Sequence, residues 1–270
     1  MTEQVQGILL IIGGAEDKTG ECLILKKFVE LAGGKKAHLV LVTSATSQPL
    51  AAGELYSRLF AGFGVQEVSV LNVAGRYEAN TPAVYETVQN ASGIFFTGGD
   101  QLRITSLLGG TRFDEALRKA HQKGAVVAGT SAGASAMSET MIVEGEGAEA
   151  PKKNTVQMAP GMGLIRGVVV DQHFAQRGRL GRLLTAVAQH PSVLGVGIDE
   201  DTAIVVTPGA FFEVIGSQTV TVIDGTRVQE TNVSELGPCA PLALTNVILH
   251  ILPAGYRFDL NKRLPISPSL

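Results

Sequence analysis

The chain has 270 residues, a formal net charge of −3 and 45% hydrophobic residues. A chain of this length can bury a substantial core, and its composition is that of a globular protein rather than a disordered one. The slight negative charge gives no general attraction to nucleic acid or to an anionic membrane surface, so we expect neither as a partner.

Short apolar runs alternate with helical patterns through the first half of the chain. The predicted elements, in chain order, are a strand at 7–12, a helix at 22–31, a strand at 38–42, a helix at 51–63, a strand at 67–73, a helix at 82–90, a strand at 93–97 and a helical region at 102–122. Largely apolar strands are typical of a sheet that helices cover on both faces. The alternation of strand and helix therefore predicts right-handed crossovers and a mostly parallel sheet.

The pattern changes after Ser138. Residues 139–161 are polar and rich in glycine, which predicts a loop with little regular structure. The elements predicted beyond it are a strand at 164–174, a helix at 176–189, a strand at 193–199 and hairpin strands at 203–206, 211–215, 219–223 and 246–252. Asp224-Gly225 is typical of a tight turn between two such strands. We therefore predict one α/β domain over residues 1–270, with a mostly parallel sheet flanked by helices and antiparallel strands toward its carboxyl end.

A strand predicted at 125–130 runs into the sequence Gly129-Thr130-Ser131-Ala132-Gly133, and small residues then open a helix. This strand, turn and helix are the context that a nucleophile elbow requires, because the sharp turn leaves no room for side chains beside the serine. Ser131 is therefore a candidate nucleophile. The alternative is a glycine-rich turn in which Ser131 only caps the helix.

A serine nucleophile needs a base, and the chain has five histidines. His173 ends the apolar run at 168–174, where a buried strand emerges, whereas the other four lie in places typical of structural or solvent-facing residues. Ligands bind at the carboxyl ends of the strands in open parallel sheets. We therefore expect His173 to share one rim with Ser131 and to act as its base.

The acid that would orient this base has four candidates. Asp199, Glu200 and Asp201 follow a strand together, and Asp171 shares a strand face with His173. The residues themselves leave this choice open. The order of the candidates, nucleophile, histidine and then acid, differs from that of the common α/β-hydrolase fold.

Two further features lie near these candidates. A glycine turn at 97–101 follows the preceding strand, so that a backbone N–H there and that of Ala132 could form an oxyanion hole. Arg177, Arg179 and Arg182 follow His173 and form either a solvated basic face or a carboxylate clamp.

The sequence contains no motif typical of a cofactor site. The sequence Gly13-Gly14-Ala15-Glu16-Asp17-Lys18-Thr19 lacks the glycine that precedes the lysine of a phosphate loop, and its carboxylates would repel phosphate. No spacing of histidines and cysteines suggests zinc, and two cysteines make no disulfide framework. We expect no metal or organic cofactor. The amino terminus has no basic region before an apolar one, and no apolar run reaches membrane-spanning length, so we expect a cytoplasmic protein.

Five motifs carry a resemblance to a known family. They are Gly13-Gly14-Ala15-Glu16-Asp17, Phe96-Thr97-Gly98-Gly99-Asp100-Gln101, Gly129-Thr130-Ser131-Ala132-Gly133-Ala134, Asp171-Gln172-His173-Phe174 with Arg177-Gly178-Arg179-Leu180, and Gly197-Ile198-Asp199-Glu200-Asp201-Thr202-Ala203. In this order they resemble the cyanophycinases, which belong to a serine peptidase family that also holds α-aspartyl dipeptidase. The resemblance covers most of the chain. It implies a fold like that of the class I glutamine amidotransferase domain, with serine in place of the elbow cysteine.

The resemblance also implies roles. It assigns a triad to Ser131, His173 and Glu200, with the N–H groups of Gly99 and Ala132 at the oxyanion. The substrate surface that it implies is formed by Gln101, Asp171, Gln172, Arg177, Arg179 and Arg182. The implied substrate is cyanophycin, a poly-aspartate with arginine on each side-chain carboxyl, which members of the group cleave to β-Asp-Arg dipeptides. Acids such as Asp171 or those within 144–149 would then meet the substrate guanidinium, and the enzyme would be a homodimer.

Three alternatives remain open from the sequence. An α-aspartyl dipeptidase would act on small peptides with an amino-terminal aspartate. A peptidase for other isopeptide-linked chains would share the machinery and differ in its pocket. A non-catalytic relative would keep the fold and bind a ligand without turning it over.

Overall fold

The computed structural model describes residues 7–145, 147 and 150–268. Its strands are β1 (Leu9–Ile12), β2 (His38–Val42), β3 (Glu67–Leu71), β4 (Gly93–Phe96), β5 (Val126–Thr130), β6 (Thr140–Gly145), β7 (Val156–Pro160), β8 (Val168–Gln172), β9 (Leu194–Ile198), β10 (Thr202–Thr207), β11 (Phe211–Gly216), β12 (Thr219–Asp224), β13 (Ile248–Pro253), β14 (Arg257–Asp259) and β15 (Leu264–Ile266). Its α-helices are α1 (Leu23–Leu31), α2 (Pro49–Gly62), α3 (Arg76–Ala79), α4 (Pro82–Gln89), α5 (Gln101–Leu108), α6 (Arg112–Gln122), α7 (Ala132–Ala136) and α8 (Leu180–Gln189), with a 3₁₀ turn at Gly34–Lys36. Across these ranges, no helix combines the length and the apolar character that a bilayer span requires.

A nine-stranded central sheet organises the fold, in the order β15-β14-β11-β10-β1-β5-β4-β2-β3. The five strands from β1 to β3 in this order are parallel, and the four added at the other edge are antiparallel. Both faces are covered: Leu9 and Ile11 of β1 join one hydrophobic core, and Leu10 and Ile12 join another. The predicted fold class, a mostly parallel sheet flanked by helices with antiparallel strands toward the carboxyl end, is confirmed.

A second sheet has four strands, in the order β13-β12-β9-β8. His173 follows β8 in this sheet, whereas Ser131 follows β5 in the central one. The expectation that both residues share the rim of one sheet is therefore wrong. They meet because β8 packs beside the elbow: Ser138 Oγ accepts the Val170 N–H at 3.1 Å, and Gly13 O accepts the His173 N–H at 2.7 Å.

The segment at 139–161 is not an irregular loop, because it contains the antiparallel pair β6 and β7. Met141 and Ile142 of β6 are buried, as is Val156 of β7. Polar and glycine residues conceal this short apolar alternation in the sequence. The pairing satisfies the backbone groups of both strands and places β6 close to the candidate site.

Two other predictions differ from the structure, and three short elements were not predicted. The helical region at 102–122 is two helices, α5 and α6, with Gly110 between them at a φ of +66°. Asp224-Gly225 does not close a tight hairpin, because residues 225–247 separate β12 from β13 and the Asp224 carboxylate pairs with Arg263 at 2.7 Å. The short elements α3, β14 and β15 were not predicted, since three or four residues carry too little periodicity to be recognised.

Candidate active site

The turn after β5 holds Ser131 in a conformation that serines rarely adopt, with φ 53° and ψ −111°. The neighbouring glycines make this turn possible. A Cβ at Gly129 would lie 2.6 Å from the backbone of Gly133, and a Cβ at Gly133 would lie 2.6 Å from Phe96 O. The serine therefore stands at the tip of a strand-to-helix turn that only small neighbours can form.

Ser131, His173 and Glu200 make a continuous chain of contacts. Ser131 Oγ lies 3.0 Å from His173 Nε2, and His173 Nδ1 lies 2.7 Å from Glu200 Oε1. This arrangement suits an imidazole that donates its Nδ1 proton to the carboxylate and accepts the serine proton at Nε2. The geometry matches the requirements for an activated nucleophile with an oriented base.

The surroundings of His173 favour its neutral form. Burial lowers the pKa of its imidazole below the ordinary value of 6.5, and the positive charge of Arg177 lowers it further. The hydrogen bond with Glu200 raises this pKa, but by less than burial lowers it. The imidazole is therefore neutral at neutral pH and can accept a proton.

The other three acids have different partners. Asp199 accepts hydrogen bonds from the backbone N–H groups of Ala175 and Thr219, at 2.9 and 3.2 Å. Asp201 accepts the N–H of Asp17 at 2.8 Å. Asp171 pairs with arginines and is described below. Of the four candidates, Glu200 is the one in contact with His173.

The Gly13-Gly14 turn after β1 supports the histidine and was missed as a functional feature. A Cβ at Gly14, where φ is +101°, would lie 2.4 Å from His173 Cε1. Gly13 O accepts the His173 N–H at 2.7 Å, and Gly14 O accepts the Asp201 N–H at 2.9 Å. The turn thus holds the histidine and the loop of Glu200 together. The sequence counted this glycine pair among the family motifs but gave it no role, although its place at the carboxyl end of a buried strand was an available signal.

Glu16 belongs to the same motif and was likewise given no role from the sequence. Its side chain is buried, and it accepts hydrogen bonds of 2.5 Å from both Tyr56 OH and Thr130 Oγ1. Lys18 Nζ lies 2.9 Å from the same carboxylate. Burial and the neighbouring carboxylate raise the pKa of Tyr56 above its ordinary value of 10, so the phenol stays protonated and donates. Because Thr130 immediately precedes Ser131, this buried carboxylate holds the strand at the point where the elbow begins.

The residues expected at the oxyanion border the serine. A Cβ at Gly98 would lie 3.5 Å from Ser131 Cβ, so this glycine turn lies directly beside Ser131. Gly99 has a φ of +142°, and a Cβ there would lie 2.2 Å from Ala45 O. Ala132 is the first residue of α7, where a helix leaves its N–H without an internal acceptor. The oxyanion role of Gly99 and Ala132 stays a prediction.

The arginine cluster differs from an open carboxylate clamp. Asp171 has no exposed surface, and both its oxygens bind Arg182, with Asp171 Oδ2 2.7 Å from Arg182 Nε and Oδ1 in contact with Arg182 Nη2. Arg182 is also buried and donates to Gly145 O at 3.1 Å. Direct contact of Asp171 or Arg182 with a substrate does not fit this arrangement, because each already satisfies the other's charge.

Arg179 links this ion pair to the site. It lies 3.4 Å from Asp171 Oδ1 and donates to the backbone oxygen of Gln172 and to its Oε1, the latter at 2.9 Å. Burial lowers the pKa of Arg179 to about 10, so it remains charged at neutral pH. Gln172 Oε1 also lies 3.5 Å from Ser131 Oγ. Arg177 is exposed, so this arginine faces solvent next to the histidine.

Gln101 and the expected acidic loop complete the list of predicted positions. Gln101 Nε2 donates to the carbonyls of Ile142 and Val143, both at 2.9 Å, and so holds β6 beside the site. Glu144 is exposed on β6, whereas Glu146 and Glu149 lie outside the described residues. Over residues 7–145, 147 and 150–268, no group of three or more histidine, cysteine or acidic side chains is arranged to hold a metal ion.

Comparison with known proteins gives a consistent result. Residues 8–214 match the model of peptidase family S51. The chain is 42% identical over 256 residues to the cyanophycinase of Trichormus variabilis, which covers 94% of this chain and 86% of that protein. It is 41% identical over 268 residues to the cyanophycinase of Geminocystis herdmanii, covering 99% and 98% of the two chains.

Solved structures agree on the fold. A crystal structure of a peptidase from an acI-B1 Actinobacterium superposes with a TM-score of 0.67 at 23% identity and covers 97% of this chain and 96% of its own. A putative peptidase E from Listeria monocytogenes superposes with a TM-score of 0.54 at 15% identity, covering 80% and 98%. At these identities the two structures show that the overall fold is shared.

Proposed function

Because this chain belongs to peptidase family S51, we propose that it is a serine peptidase that hydrolyses the poly-aspartate backbone of cyanophycin and releases β-Asp-Arg dipeptides. The observation that carries the proposal is the unbroken contact from Ser131 Oγ through His173 to Glu200, at 3.0 and 2.7 Å, in a chain that is 41–42% identical to cyanophycinases. The sequence identity to cyanophycinases supports cyanophycin as the substrate, and the three-residue contact supports a serine nucleophile with a histidine base.

In the proposed acylation, Ser131 Oγ attacks the carbonyl carbon of a backbone amide while His173 Nε2 takes the hydroxyl proton. Glu200 accepts the hydrogen bond from Nδ1 and stabilises the imidazolium that forms. The N–H groups of Ala132 and Gly99 bind the oxyanion, and one such donor is typically worth about 3–4 kcal/mol of transition-state stabilisation. The tetrahedral intermediate collapses when the C–N bond breaks and the leaving amine takes the proton from His173.

Deacylation reverses the direction of proton transfer. Water attacks the Ser131 ester as His173 accepts one of its protons, and the proton returns to Ser131 Oγ as the ester bond breaks. The products are a carboxylic acid and the free enzyme. The residues alone complete this cycle, so no metal or organic cofactor takes part in the proposal.

The three arginines have different roles in the proposed substrate surface, according to how exposed each one is. Arg177 is exposed beside His173 and offers a guanidinium to the carboxylate of a substrate arginyl branch. Arg179 and Gln172 lie behind it, close to the serine. Asp171 and Arg182 act indirectly, since their buried pair fixes Arg179 and β8. Gln101 fixes β6 at the opposite side.

The test is release of β-Asp-Arg from insoluble cyanophycin by the wild-type protein and by Ser131→Ala. We expect release by the wild type and a loss of several orders of magnitude in kcat for Ser131→Ala, because removing a triad serine leaves little catalysis. Release that persists in Ser131→Ala would leave the substrate in place and reject the nucleophile. A folded wild type that cleaves Asp-Xaa dipeptides and not the polymer would instead identify a dipeptidase.

The proposal also includes the number of domains, the oligomeric state and the cellular location of the protein. We expect one catalytic domain per chain, a homodimer in solution and a cytoplasmic location.

A further inference from the structure

A cavity of about 520 Å³ opens beside the glycine turn that borders Ser131. Its lining includes Thr46, Ser47, Asn72, Gly99, Asp100 and Arg103. These residues follow the carboxyl ends of β2, β3 and β4, which are neighbouring parallel strands. Ligands of open α/β sheets bind at this edge, and the volume is within the range of small-molecule sites.

Two opposite charges stand at one wall of this cavity. Asp100 is exposed, and its Oδ1 accepts the Leu102 N–H at 2.8 Å, which fixes the carboxylate at the start of α5. Arg103 is also exposed, and its Nε donates to Ser44 O at 3.0 Å, so the guanidinium is held from behind. Within the part of the chain that the structure describes, no ion pair joins either side chain to a partner. Both charges are therefore oriented by the backbone and open to a ligand.

The cavity and the candidate active site share one glycine turn, through Gly99. This residue lines the cavity, and its N–H is the proposed oxyanion donor. The turn is firmly placed between the two, since Asp100 N–H donates to Ala45 O at 3.0 Å and a Cβ at Gly99 would collide with that same carbonyl. Because the two sites share this turn, we expect a neighbouring branch of a polymer bound at Ser131 to enter the cavity.

We propose that this cavity is a second substrate subsite, which binds the zwitterionic arginyl branch of a unit next to the one being cleaved. The inference rests on the proposed function. Each unit of the polymer carries one guanidinium and one carboxylate, so Arg103 would pair with the carboxylate and Asp100 with the guanidinium. Ser47 and Asn72 add polar groups to the same wall. Binding of a remote unit would favour polymer over single dipeptides.

Binding to the inactive Ser131→Ala protein tests the subsite without turnover. Calorimetric titration with soluble β-Asp-Arg oligomers of one and three units measures the ratio of their affinities. We expect the three-unit oligomer to bind at least about tenfold more tightly, because its second branch binds in an intramolecular step. Adding Arg103→Gln should remove most of this ratio, and Arg103→Lys should retain part of it.

A matched control removes the same charge elsewhere. Arg58 is exposed on α2, outside the residues that line the cavity, so Arg58→Gln should leave the affinity ratio unchanged. Circular dichroism of each variant checks that its fold is intact.

Each other outcome has a definite meaning. An unchanged ratio in Arg103→Gln, with tight binding of the longer oligomer, overturns the subsite and leaves the proposed function in place. If Arg103→Gln lowers the affinity for the one-unit and the three-unit oligomer equally, the cavity holds the released dipeptide, and the proposal of a second subsite is overturned. If the wild type releases no dipeptide from the polymer and the Ser131→Ala protein binds no oligomer, the proposed function itself is rejected.

Discussion

At the residue scale, His173 is subject to opposing electrostatic effects. Burial and Arg177 lower the pKa of its imidazole, whereas Glu200 raises it. The net shift is downward, so the base remains neutral at pH values at which an ordinary histidine is half protonated. This balance sets the acid limit of the proposed reaction.

Glu200→Gln tests the acid. The amide keeps the size of the side chain and loses the charge that stabilises the imidazolium, so kcat should fall by about 10³–10⁴-fold. Glu213→Gln makes the same chemical change on the exposed side of β11 and should leave kcat unchanged. Steady-state kinetics on the polymer compares the two. A loss of less than tenfold in Glu200→Gln would contradict the triad.

The pH dependence of kcat/KM follows from the same contacts. The neutral imidazole is the active form, so activity is lost as the pH falls through the pKa of His173. Because that pKa is lowered, the acid limb of the wild-type profile should lie below pH 6.5. Glu200→Gln removes the negative charge that raises this pKa, so the substitution should move the limb of its residual activity to lower pH. A limb above 6.5 in the wild type would contradict this account of the environment.

Gly14 is a second residue whose importance depends on tertiary contact. Gly14→Ala would place a methyl group 2.4 Å from the His173 ring, so the imidazole must leave its present position and kcat/KM should fall by about 100-fold. Gly34→Ala is the matched control, since Gly34 also has a positive φ, of +64°, but no atom lies within 4 Å of its Cβ position. Comparing activity and the free energy of unfolding for the two variants separates the collision from the backbone strain. Equal losses of activity would contradict the proposed role of Gly14.

At the element scale, β5 is held where it becomes the elbow. Glu16 lies in the turn after β1, and its carboxylate accepts hydrogen bonds from Thr130, the last residue of β5, and from Tyr56 of α2. The turn and α2 are therefore both connected to the end of β5. A buried carboxylate with several donors is stable only while those donors are present. The motif Gly13-Gly14-Ala15-Glu16 thus supports Ser131 through Thr130 and His173 through its glycines.

Thr130→Val removes one of these donors and keeps the shape of the side chain. We expect the free energy of unfolding to fall by about 1–3 kcal/mol, since a buried carboxylate oxygen loses its hydrogen bond. Thr43→Val is the control, because Thr43 Oγ1 is buried with no hydrogen-bond partner among the described residues, so its loss should be neutral or stabilising. Urea denaturation measures both. Equal destabilisation would show that the contact with Glu16 contributes nothing.

At the scale of the whole molecule, the site lies where two sheets meet. Ser131 comes from the central sheet, and His173 and Glu200 follow adjacent strands of the second sheet. The buried pair of Asp171 and Arg182 joins β8 to α8, and Arg182 extends this connection to Gly145 of β6. The position of the base relative to the nucleophile therefore depends on the packing of the second sheet against the first.

Asp171→Asn tests this dependence. The substitution leaves two buried guanidinium groups without their counter-charge, which should lower the free energy of unfolding by about 3–5 kcal/mol. Glu115→Gln breaks an exposed pair with Lys119 on α6 and should cost far less. Urea denaturation of both variants makes the comparison. Similar small losses would mean that the buried pair does not hold the second sheet in place.

Much of this organisation could be predicted from local sequence. Continuous apolar runs at β1, β2, β4 and β5 indicated the parallel sheet, because strands buried on both faces tolerate few polar residues. The elbow was recognisable because its glycines are neighbours in the chain and its geometry is local. His173 and Ser131, though 42 positions apart, could be paired only by assuming a shared rim. The predicted contact between Ser131 and His173 is present, but the assumption behind it was wrong, since β5 and β8 lie in different sheets.

The sequence by itself determined the fold class, the elbow at Ser131 and the short list of partners for it. The residues themselves left the acid open and the family resemblance implied Glu200, but only the tertiary structure shows its contact with the histidine. Asp199, Glu200 and Asp201 are adjacent in the chain and differ in where the folded backbone directs them. The tertiary structure also decided that Asp171 and Arg182 bind each other, and that Gly14 and Glu16 support the site. These contacts join residues far apart in sequence, and no local pattern records a distance between elements that packing alone brings together.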